Sequence, residues 1–121
     1  YDSAAIIIFD SVGEWACTSI GKGEKNQIKI LKEIHFPNSL GMFYSAFTQF
    51  SGFRVNADEY KLMGLAPYGE PKYREKILEN IIKVNEDGSY KLNLKFFDFH
   101  HGNSTINNKF EKLFVLLSPY Q

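Results

Sequence analysis

The chain opens with a run of bulky apolar residues, Ile6 to Phe9, which leads directly into Asp10. β-Branched residues without polar alternation favour a strand that is covered on both faces, and we predict such a strand over residues 4–10. Gly13 follows three residues after the carboxylate. The first strand is therefore predicted to be buried and to end in a turn that contains an acid and a glycine.

Two further strands are predicted after this turn. Residues 14–21 alternate loosely, with Trp15, Cys17 and Ser19 on one side, and residues 27–34 ("QIKILKEI") alternate more strictly. The intervening "GKGEKN" supplies turn residues, and its length and glycines indicate a looser connection than a two-residue hairpin. The three segments together predict an antiparallel meander.

The apolar residues then take up the period of a helix. Steps of three and four residues predict a helix that starts behind an N-cap at Asn38 or Ser39 and stops near Gly52. A shorter helix is predicted from about Asp58 to Leu65, because a proline and a Tyr-Gly turn follow it.

The second half of the chain adds a helix, a hairpin and a last helix. Residues 72–82 predict a helix, and "VNEDGSYKLNL" predicts a hairpin in which Asp87-Gly88 forms a type I′ turn. The segment "NNKFEKLFVLL" predicts a helix with one apolar stripe, made of Phe110, Leu113, Phe114 and Leu117. The fold class is α/β: a meander of about three strands, three to four helices and a small hairpin.

Composition narrows the class of protein. The chain has 121 residues, enough for one small domain, and its 14 basic and 14 acidic side chains give zero net charge. Nothing in this balance calls for a nucleic acid or an anionic membrane as partner, and no apolar run approaches the ~20 residues of a membrane span. The single cysteine permits no internal disulfide and suits a reducing compartment, so we expect a cytoplasmic protein. Because the chain starts at Tyr1, we expect residues 1–121 to be one segment of a longer protein.

Two segments are candidate sites. A carboxylate that ends a buried strand, Asp10, is well placed to hold a metal, and Gly13 would let a phosphate approach the amides of the turn. The alternative is an ordinary turn that uses Asp and Gly for their backbone preferences. In "EYKLMGLAPYG", Glu59 and Lys61 lie beside small residues and would suit a nucleotide; the alternative is a solvated charge pair on an amphipathic helix. The residues alone leave both alternatives open.

The histidines and the cysteine are weaker candidates for functional residues than these two segments. His100 and His101 are neighbours, and neighbours on an extended segment point to opposite sides, with no third ligand at a suitable spacing. His35 is isolated at a strand end. Cys17 lies within a predicted strand without a basic neighbour, so we predict that it is a small core residue.

Several long stretches resemble the O-carbamoyltransferases, the family of the nodulation-factor, tobramycin and cephamycin enzymes. These stretches are "DSAAIIIFDSVGEWACTSIG", "EIHFPNSLGMFYSAFTQFSGF", "VNADEYKLMGLAPYGEP" and "FFDFHHGNSTINNKFEKLF". The resemblance covers nearly the whole chain and implies the central part of the N-terminal domain of such an enzyme. That domain is similar to the tRNA threonylcarbamoyl transferase, whose duplicated nucleotide-cleft fold is shared with sugar kinases and actin.

The resemblance also implies a reaction. Such enzymes make carbamoyl-adenylate from carbamoyl phosphate and ATP in a second domain. The N-terminal domain then passes the carbamoyl group to an acceptor hydroxyl on a sugar or an antibiotic-like small molecule. A divalent metal, iron in the best-known case, holds the adenylate phosphate. The implied cofactors are therefore this metal and ATP in the full-length protein, and we expect the segment alone to hold neither tightly and to be inactive.

The resemblance assigns site residues by position. Asp10 matches a metal-ligating aspartate of the family, Gly13 matches a glycine that approaches the phosphate, and Glu14 is its acidic neighbour. The segment similar to the cleft region that meets the ribose and phosphate of the adenylate contributes Glu59, Lys61, Gly64 and Gly69. No catalytic residue is assigned.

The chain departs from the family pattern at Ser11 and Asp58, where glycines are usual, and either side chain would narrow the approach of a phosphate. The family's paired metal histidines lie upstream of the matching segment and its last metal carboxylate downstream, and one aspartate is too few ligands for a metal. Two other functions remain open. One is a nucleotide-binding module of a kinase-like or tRNA-modifying relative, and the other is a non-catalytic segment that self-associates through the apolar strand.

Overall fold

The computed structural model describes residues 1–115 of the chain. They form a mixed α/β structure with a three-stranded antiparallel sheet, a two-stranded hairpin and four α-helices, which confirms the predicted fold class. The chain divides into two compact units, Tyr1–Phe43 and Tyr44–Gln121. Within residues 1–115, every helix is too short or too polar to cross a membrane.

The first unit contains the predicted meander. Its strands are β1 (Ser3–Phe9), β2 (Ala16–Glu24) and β3 (Gln27–His35), and they lie side by side in the order β1-β2-β3. Helix α1 (Leu40–Phe50) begins at the end of this unit. The turn between β1 and β2 spans residues 10–15 and carries the first candidate site.

The connection between β2 and β3 is tighter than the sequence predicts. Glu24 pairs with Gln27, so only Lys25 and Asn26 form the loop, and Lys25 has a φ of 53°. The expectation of a loose loop was wrong because the strands continue through Gly21 and Gly23. Each of these glycines lies beneath an isoleucine side chain of a neighbouring strand.

The predicted burial of β1 is also wrong. Ile7, Ile8 and Phe9 are 61%, 48% and 54% exposed. Among the described strands, β1 is the edge of its sheet, and the residues of its own unit do not cover either of its faces. An apolar strand of this kind is expected to be covered on both faces, and the first unit by itself does not cover it.

Helix α1 starts and stops where the sequence predicts. Ser39 is the N-cap, since its Oγ accepts a hydrogen bond from the Met42 amide at 3.0 Å. Gly52, which follows the helix, has a φ of 81°, the left-handed conformation that commonly ends a helix. The two termini of this helix are therefore confirmed.

The second unit contains the remaining elements. They are α2 (Glu59–Leu65), α3 (Arg74–Asn80), β4 (Ile82–Val84), β5 (Tyr90–Leu92) and α4 (Asn108–Val115). Short 3-10 turns at Ala66–Tyr68 and Leu94–Phe96 were not predicted.

Helix α3 and the hairpin differ in detail from their predictions. The helix ends at Asn80 rather than at residue 82, because Ile82 begins β4. The hairpin loop holds five residues, 85–89, and only Gly88 has a positive φ, of 81°. A type I′ turn needs a positive φ at both central residues, so the prediction of a type I′ turn is wrong. Instead, the Gly88 amide donates a hydrogen bond to the Asn85 carbonyl at 3.0 Å. This arrangement is that of longer hairpin loops that end with a left-handed glycine.

Aromatic rings form the core of the second unit. Phe110 and Phe114 of α4 are 0% and 1% exposed, and their ring centroids lie 4.9 Å apart. Phe47 and Phe50 of α1 pack against both of these rings at 5.1–5.8 Å. The predicted stripe of α4 is confirmed at these positions, while Leu117 lies outside the described residues.

Candidate functional site

The turn between β1 and β2 is closed by backbone hydrogen bonds. The Asp10 amide donates to the Cys17 carbonyl at 2.8 Å, and the Trp15 amide donates to the Val12 carbonyl at 3.2 Å. Gly13 has a φ of 57°, and a Cβ at this position would lie 2.6 Å from the Ala16 carbonyl oxygen. The turn therefore needs glycine at Gly13 for its own geometry, whatever ligand approaches it.

The Asp10 side chain is exposed and lies over its own turn. Its Oδ1 accepts a hydrogen bond from the Ser11 amide at 2.7 Å, and its Oδ2 lies 3.5 Å from the position that a Gly13 Cβ would take. The structure thus brings together Asp10 and Gly13, two of the predicted site residues. Glu14, the third residue of this group, is exposed on the same turn.

The start of helix α1 fixes the backbone of this turn. The Ser39 hydroxyl, which is fully buried, donates to the Asp10 carbonyl at 3.0 Å while it caps the helix. At Gly41, a Cβ would lie 2.7 Å from the Asp10 carbonyl oxygen and from two backbone atoms of Ser11. Ser39, which the sequence predicted only as a candidate helix cap, and Gly41, which it did not single out, are positioning residues for this turn. A glycine just inside a helix N-terminus was the available signal.

Two other residues of the turn region are now assigned. Cys17 is 0% exposed, and burial, with a smaller contribution from the charge of Asp10, raises the pKa of its thiol against an opposing hydrogen bond with Ser39. Its prediction as a core residue is confirmed. The alternation of residues 14–21 predicted that Trp15 lies on the same side as Cys17, and this is wrong. Trp15 has a φ of 93°, which turns its side chain outward, where it is 59% exposed.

The second candidate group lies at the start of helix α2. Glu59 is half-buried, and its Oε1 accepts hydrogen bonds from the Asn56 amide at 2.7 Å and the Ser45 hydroxyl at 3.1 Å. Burial is the largest single influence on this carboxyl and opposes its ionisation. The hydrogen bonds of Asn56, Ser45 and neighbouring backbone together outweigh burial, so the pKa of Glu59 is lowered. Glu59 therefore ties helix α2 to the loop before it and to helix α1.

Lys61 forms an ion pair with Asp58 rather than with Glu59. Its Nζ lies 2.8 Å from Asp58 Oδ1, and the pKa of Asp58 is lowered first by this bond and then by the bond from the Arg54 amide. The same bond raises the pKa of Lys61. Asp58 thus holds the lysine side chain next to the helix start.

The two glycines of this segment have no steric role among the described residues. Apart from its chain neighbours and the backbone of its own helix, no atom of residues 1–115 lies within 4 Å of the position of a Cβ on Gly64. Chain neighbours again aside, the nearest atom to such a position on Gly69 is the Ala66 carbonyl oxygen, at an ordinary 3.6 Å. Both residues are exposed. A glycine inside a helix costs about 1 kcal/mol relative to alanine, so Gly64 is unfavourable for helix α2 itself.

The histidine pair was predicted to diverge, and this is wrong. The ring centroids of His100 and His101 lie 4.1 Å apart, because residues 98–102 form a turn in which the Asp98 carbonyl accepts hydrogen bonds from the His101 and Gly102 amides. Within residues 1–115, no three His, Cys, Asp or Glu side chains lie close enough to hold a metal ion. The described residues therefore do not make a metal site on their own, and Asp10 supplies a single carboxylate.

Comparison with known proteins identifies the family. The chain matches the carbamoyltransferase N-terminus family over residues 1–118. It is 53% identical over 114 residues to the Synechocystis sp. protein named Uncharacterized protein sll1178. The alignment covers 94% of this chain and 18% of that protein. It is 30% identical over 94 residues to Nodulation protein NolNO of Sinorhizobium fredii, covering 78% of this chain and 14% of the relative. Nodulation protein NolO of Bradyrhizobium diazoefficiens is 29% identical over 94 residues, covering 78% of this chain and 17% of the relative.

The chain belongs to the carbamoyltransferase N-terminus family. It spans less than a fifth of the length of these three curated relatives. The matched residues include both candidate groups, the turn at Asp10 and the segment from Glu59 to Gly69.

Proposed function

We propose that the protein is a carbamoyltransferase that moves a carbamoyl group from carbamoyl-adenylate to an acceptor hydroxyl, with the adenylate made from carbamoyl phosphate and ATP. The observation that carries this proposal is the match to the carbamoyltransferase N-terminus family over residues 1–118. The acceptor is a sugar or an antibiotic-like small molecule. The reaction belongs to the full-length cytoplasmic protein, and residues 1–121 alone are inactive.

The turn at Asp10 is the proposed contact with the adenylate phosphate. Gly13 has no side chain to obstruct an approach to the turn, and Glu14 is exposed beside it. As the phosphate leaves the carbamoyl carbon its negative charge grows, and fixed backbone N–H groups stabilise such a developing charge at little reorganisation cost. Ser39 and Gly41 hold this backbone in place by direct contact with Asp10 and Ser11.

Asp10 is also the proposed contribution of this chain to a divalent metal site, with iron as the metal. Because the described residues offer no complete ligand set, no step of the reaction is assigned to the metal. Replacement of Asp10 by Asn in the full-length protein is expected to lower both bound metal and carbamoyl transfer, the latter roughly 100-fold. Asp2→Asn is the matched control, since Asp2 is an exposed acid outside the turn.

The segment from Glu59 to Gly69 is the proposed contact with the nucleotide. Lys61 is exposed and pre-positioned by Asp58, and Gly64 leaves open space on helix α2. Glu59 and Gly69 flank these two residues as the remaining proposed contacts. Lys61→Gln is expected to raise the KM for ATP about tenfold, whereas Lys72→Gln, which removes another exposed lysine that pairs with an acid, is expected to leave it unchanged.

The overall proposal is tested by carbamoyl-phosphate-dependent consumption of ATP. The full-length protein is expected to consume ATP only when carbamoyl phosphate is present, and residues 1–121 alone are expected to show no consumption. Adenylate binding by the full-length protein without any response to carbamoyl phosphate would instead support a nucleotide-binding module. Turnover by the short segment would contradict the proposal that it is only part of the enzyme.

A further inference from the structure

Ser45 is a buried serine in the interior of helix α1, where it is 3% exposed. Alanine is a better helix former and leaves no hydroxyl to satisfy, so serine at this position is unfavourable for the helix itself. Residues 1–115 already bury it, and further chain in the full-length protein can only cover more of the surface. The hydroxyl therefore needs a hydrogen-bond partner inside the structure.

The partner of this hydroxyl is on another helix. Ser45 Oγ donates to Oε1 of Glu59, the first residue of α2, at 3.1 Å. Thr48, another buried residue of α1, differs, because its Oγ1 donates to the Tyr44 carbonyl of its own helix at 3.0 Å. A hydrogen bond to a carboxylate is stronger than one between neutral groups. The hydroxyl of Ser45 thus links α1 to α2, whereas that of Thr48 does not.

Glu59 uses the same oxygen to close the loop before α2, residues 54–58. Its Oε1 also accepts a hydrogen bond from the Asn56 amide at 2.7 Å, and Asn56 has a φ of 62°. This left-handed conformation costs free energy even for asparagine, so it persists only where the surroundings hold it. The Ser45 hydroxyl helps to hold the Glu59 carboxylate where it accepts this amide.

The loop before α2 carries the residue that holds Lys61. Asp58 Oδ2 accepts a hydrogen bond from the Arg54 amide at 3.1 Å, and Asp58 Oδ1 lies 2.8 Å from Lys61 Nζ. Because one of these partners is an amide of the loop, the direction of the Asp58 carboxylate depends on the loop backbone. The position of the Lys61 ammonium group therefore depends on the loop that Ser45 and Glu59 hold.

We propose that Ser45 is a positioning residue for the nucleotide contact: it acts through Glu59 on the loop before α2 and so keeps the Lys61 ammonium group in place for the phosphates of the nucleotide. This inference rests on the proposed function, since it adds a residue to the segment that is proposed to contact the nucleotide. Ser45 acts on the binding of ATP and not on the chemical step, so its loss changes KM rather than kcat.

The experiment measures ATP consumption by the full-length protein in the presence of carbamoyl phosphate. Ser45→Ala is expected to raise the KM for ATP about fivefold, with less than about a twofold change in kcat. Thr48→Val is the matched control, because it removes another buried hydroxyl of the same helix from a side chain of the same shape. It is expected to leave the KM for ATP unchanged.

A double variant separates positioning of Lys61 from a general structural effect. Ser45→Ala combined with Lys61→Gln is expected to show the KM of Lys61→Gln alone, about tenfold above the wild type, because Ser45 has nothing left to position once the ammonium group is gone. Independent effects would multiply to about fiftyfold and would contradict the inference. If Ser45→Ala does not fold, Ser45→Cys carries the test, since a thiol of similar size is a weak donor and is expected to raise the KM about threefold.

Other outcomes overturn the inference in distinguishable ways. An unchanged KM in Ser45→Ala, or in Ser45→Cys where that variant carries the test, would show that the hydroxyl does not act on nucleotide binding. An equal rise in Thr48→Val would indicate a general effect of the packing of α1. Either result, with carbamoyl-phosphate-dependent ATP consumption intact in the wild type, would remove this inference and leave the proposed function standing. Absence of that consumption in the wild type would overturn the proposed function as well.

Discussion

Gly41 and Asp10 are in backbone contact. A Cβ on Gly41 would lie 2.7 Å from the Asp10 carbonyl oxygen and at the same distance from two backbone atoms of Ser11. Gly41, the second residue of helix α1, thus lies directly against Asp10, the residue that follows β1. A side chain at this position would displace the Asp10 backbone, because the backbone atoms that it would meet cannot move aside like the end of a flexible side chain.

The contact predicts the effect of Gly41→Ala. Alanine is the better helix former, but its methyl group would meet backbone atoms that have no flexible end to move aside, so we expect a net loss of about 1–3 kcal/mol in the free energy of unfolding. Gly64→Ala is the matched control, because open space surrounds that position in the described residues, and it is expected to gain up to about 1 kcal/mol. Thermal unfolding measures both, and equal effects of the two variants would contradict the contact.

Glu59 predicts a dependence of stability on pH. Its pKa is lowered in the folded protein, so its contribution to stability is present above the usual value of 4.5 and is lost as the pH falls through the lower folded value. Glu59→Gln removes this ionisation, and we expect the variant to lose less stability than the wild type on acidification below pH 4.5. Thermal midpoints measured across this range provide the test, with Glu86→Gln as an exposed control. Parallel curves for wild type and Glu59→Gln would exclude the effect.

Cys17 predicts slow thiol chemistry. The side chain is 0% exposed, and burial raises the pKa of the thiol, so little thiolate is available at neutral pH. Native residues 1–121 are expected to react with a thiol reagent at least about 100-fold more slowly than the same chain in denaturant. Ser51→Cys places a second thiol at an exposed position and should restore rapid labelling of one site. Rapid labelling of the native wild type would show that the turn opens readily.

The exposed strand β1 predicts self-association of residues 1–121 when they are isolated. Its seven residues, Ser3–Phe9, contain no charge, proline or glycine, and it forms one of the two edges of the described three-stranded sheet. Sedimentation velocity is expected to show species larger than a monomer as concentration rises. Ile7→Lys should shift the distribution toward monomer, whereas Val84→Lys, at an exposed apolar position of β4, should not. A monomer at every concentration would contradict the prediction.

Local patterns were sufficient to predict the elements of the first unit. A continuous apolar run predicted β1, alternation predicted β2 and β3, and the helical period with Ser39 as cap predicted α1, because these signals depend on neighbours in sequence. The family was also predictable, since its motifs are continuous stretches of the chain. The lowered pKa of Glu59 could not be predicted from the sequence. Its partner Ser45 lies on another helix, and its hydrogen bond from the Asn56 amide depends on the conformation of the loop.

Contacts between distant segments explain the wrong predictions. The apolar sequence of β1 indicated burial, but burial depends on which element covers the strand, and the first unit covers neither face of it. The alternation of residues 14–21 predicted Trp15 on the same side as Cys17, but hydrogen bonds to Val12 and Phe36 hold its backbone at a positive φ, and its side chain is exposed. The histidines were assigned to an extended segment, whereas two amide bonds to the Asp98 carbonyl form a turn there.

The sequence by itself determined the strands, the main helices, the buried thiol and the family of this protein, because periodicity and continuous motifs are properties of neighbouring residues. Only the tertiary structure decided that Gly41 and Ser39 hold the Asp10 turn, that Trp15 faces outward, and that Asp58 holds Lys61. These outcomes depend on close approaches between backbones and on hydrogen-bond partners, and a residue pattern along one strand or helix does not specify either of them.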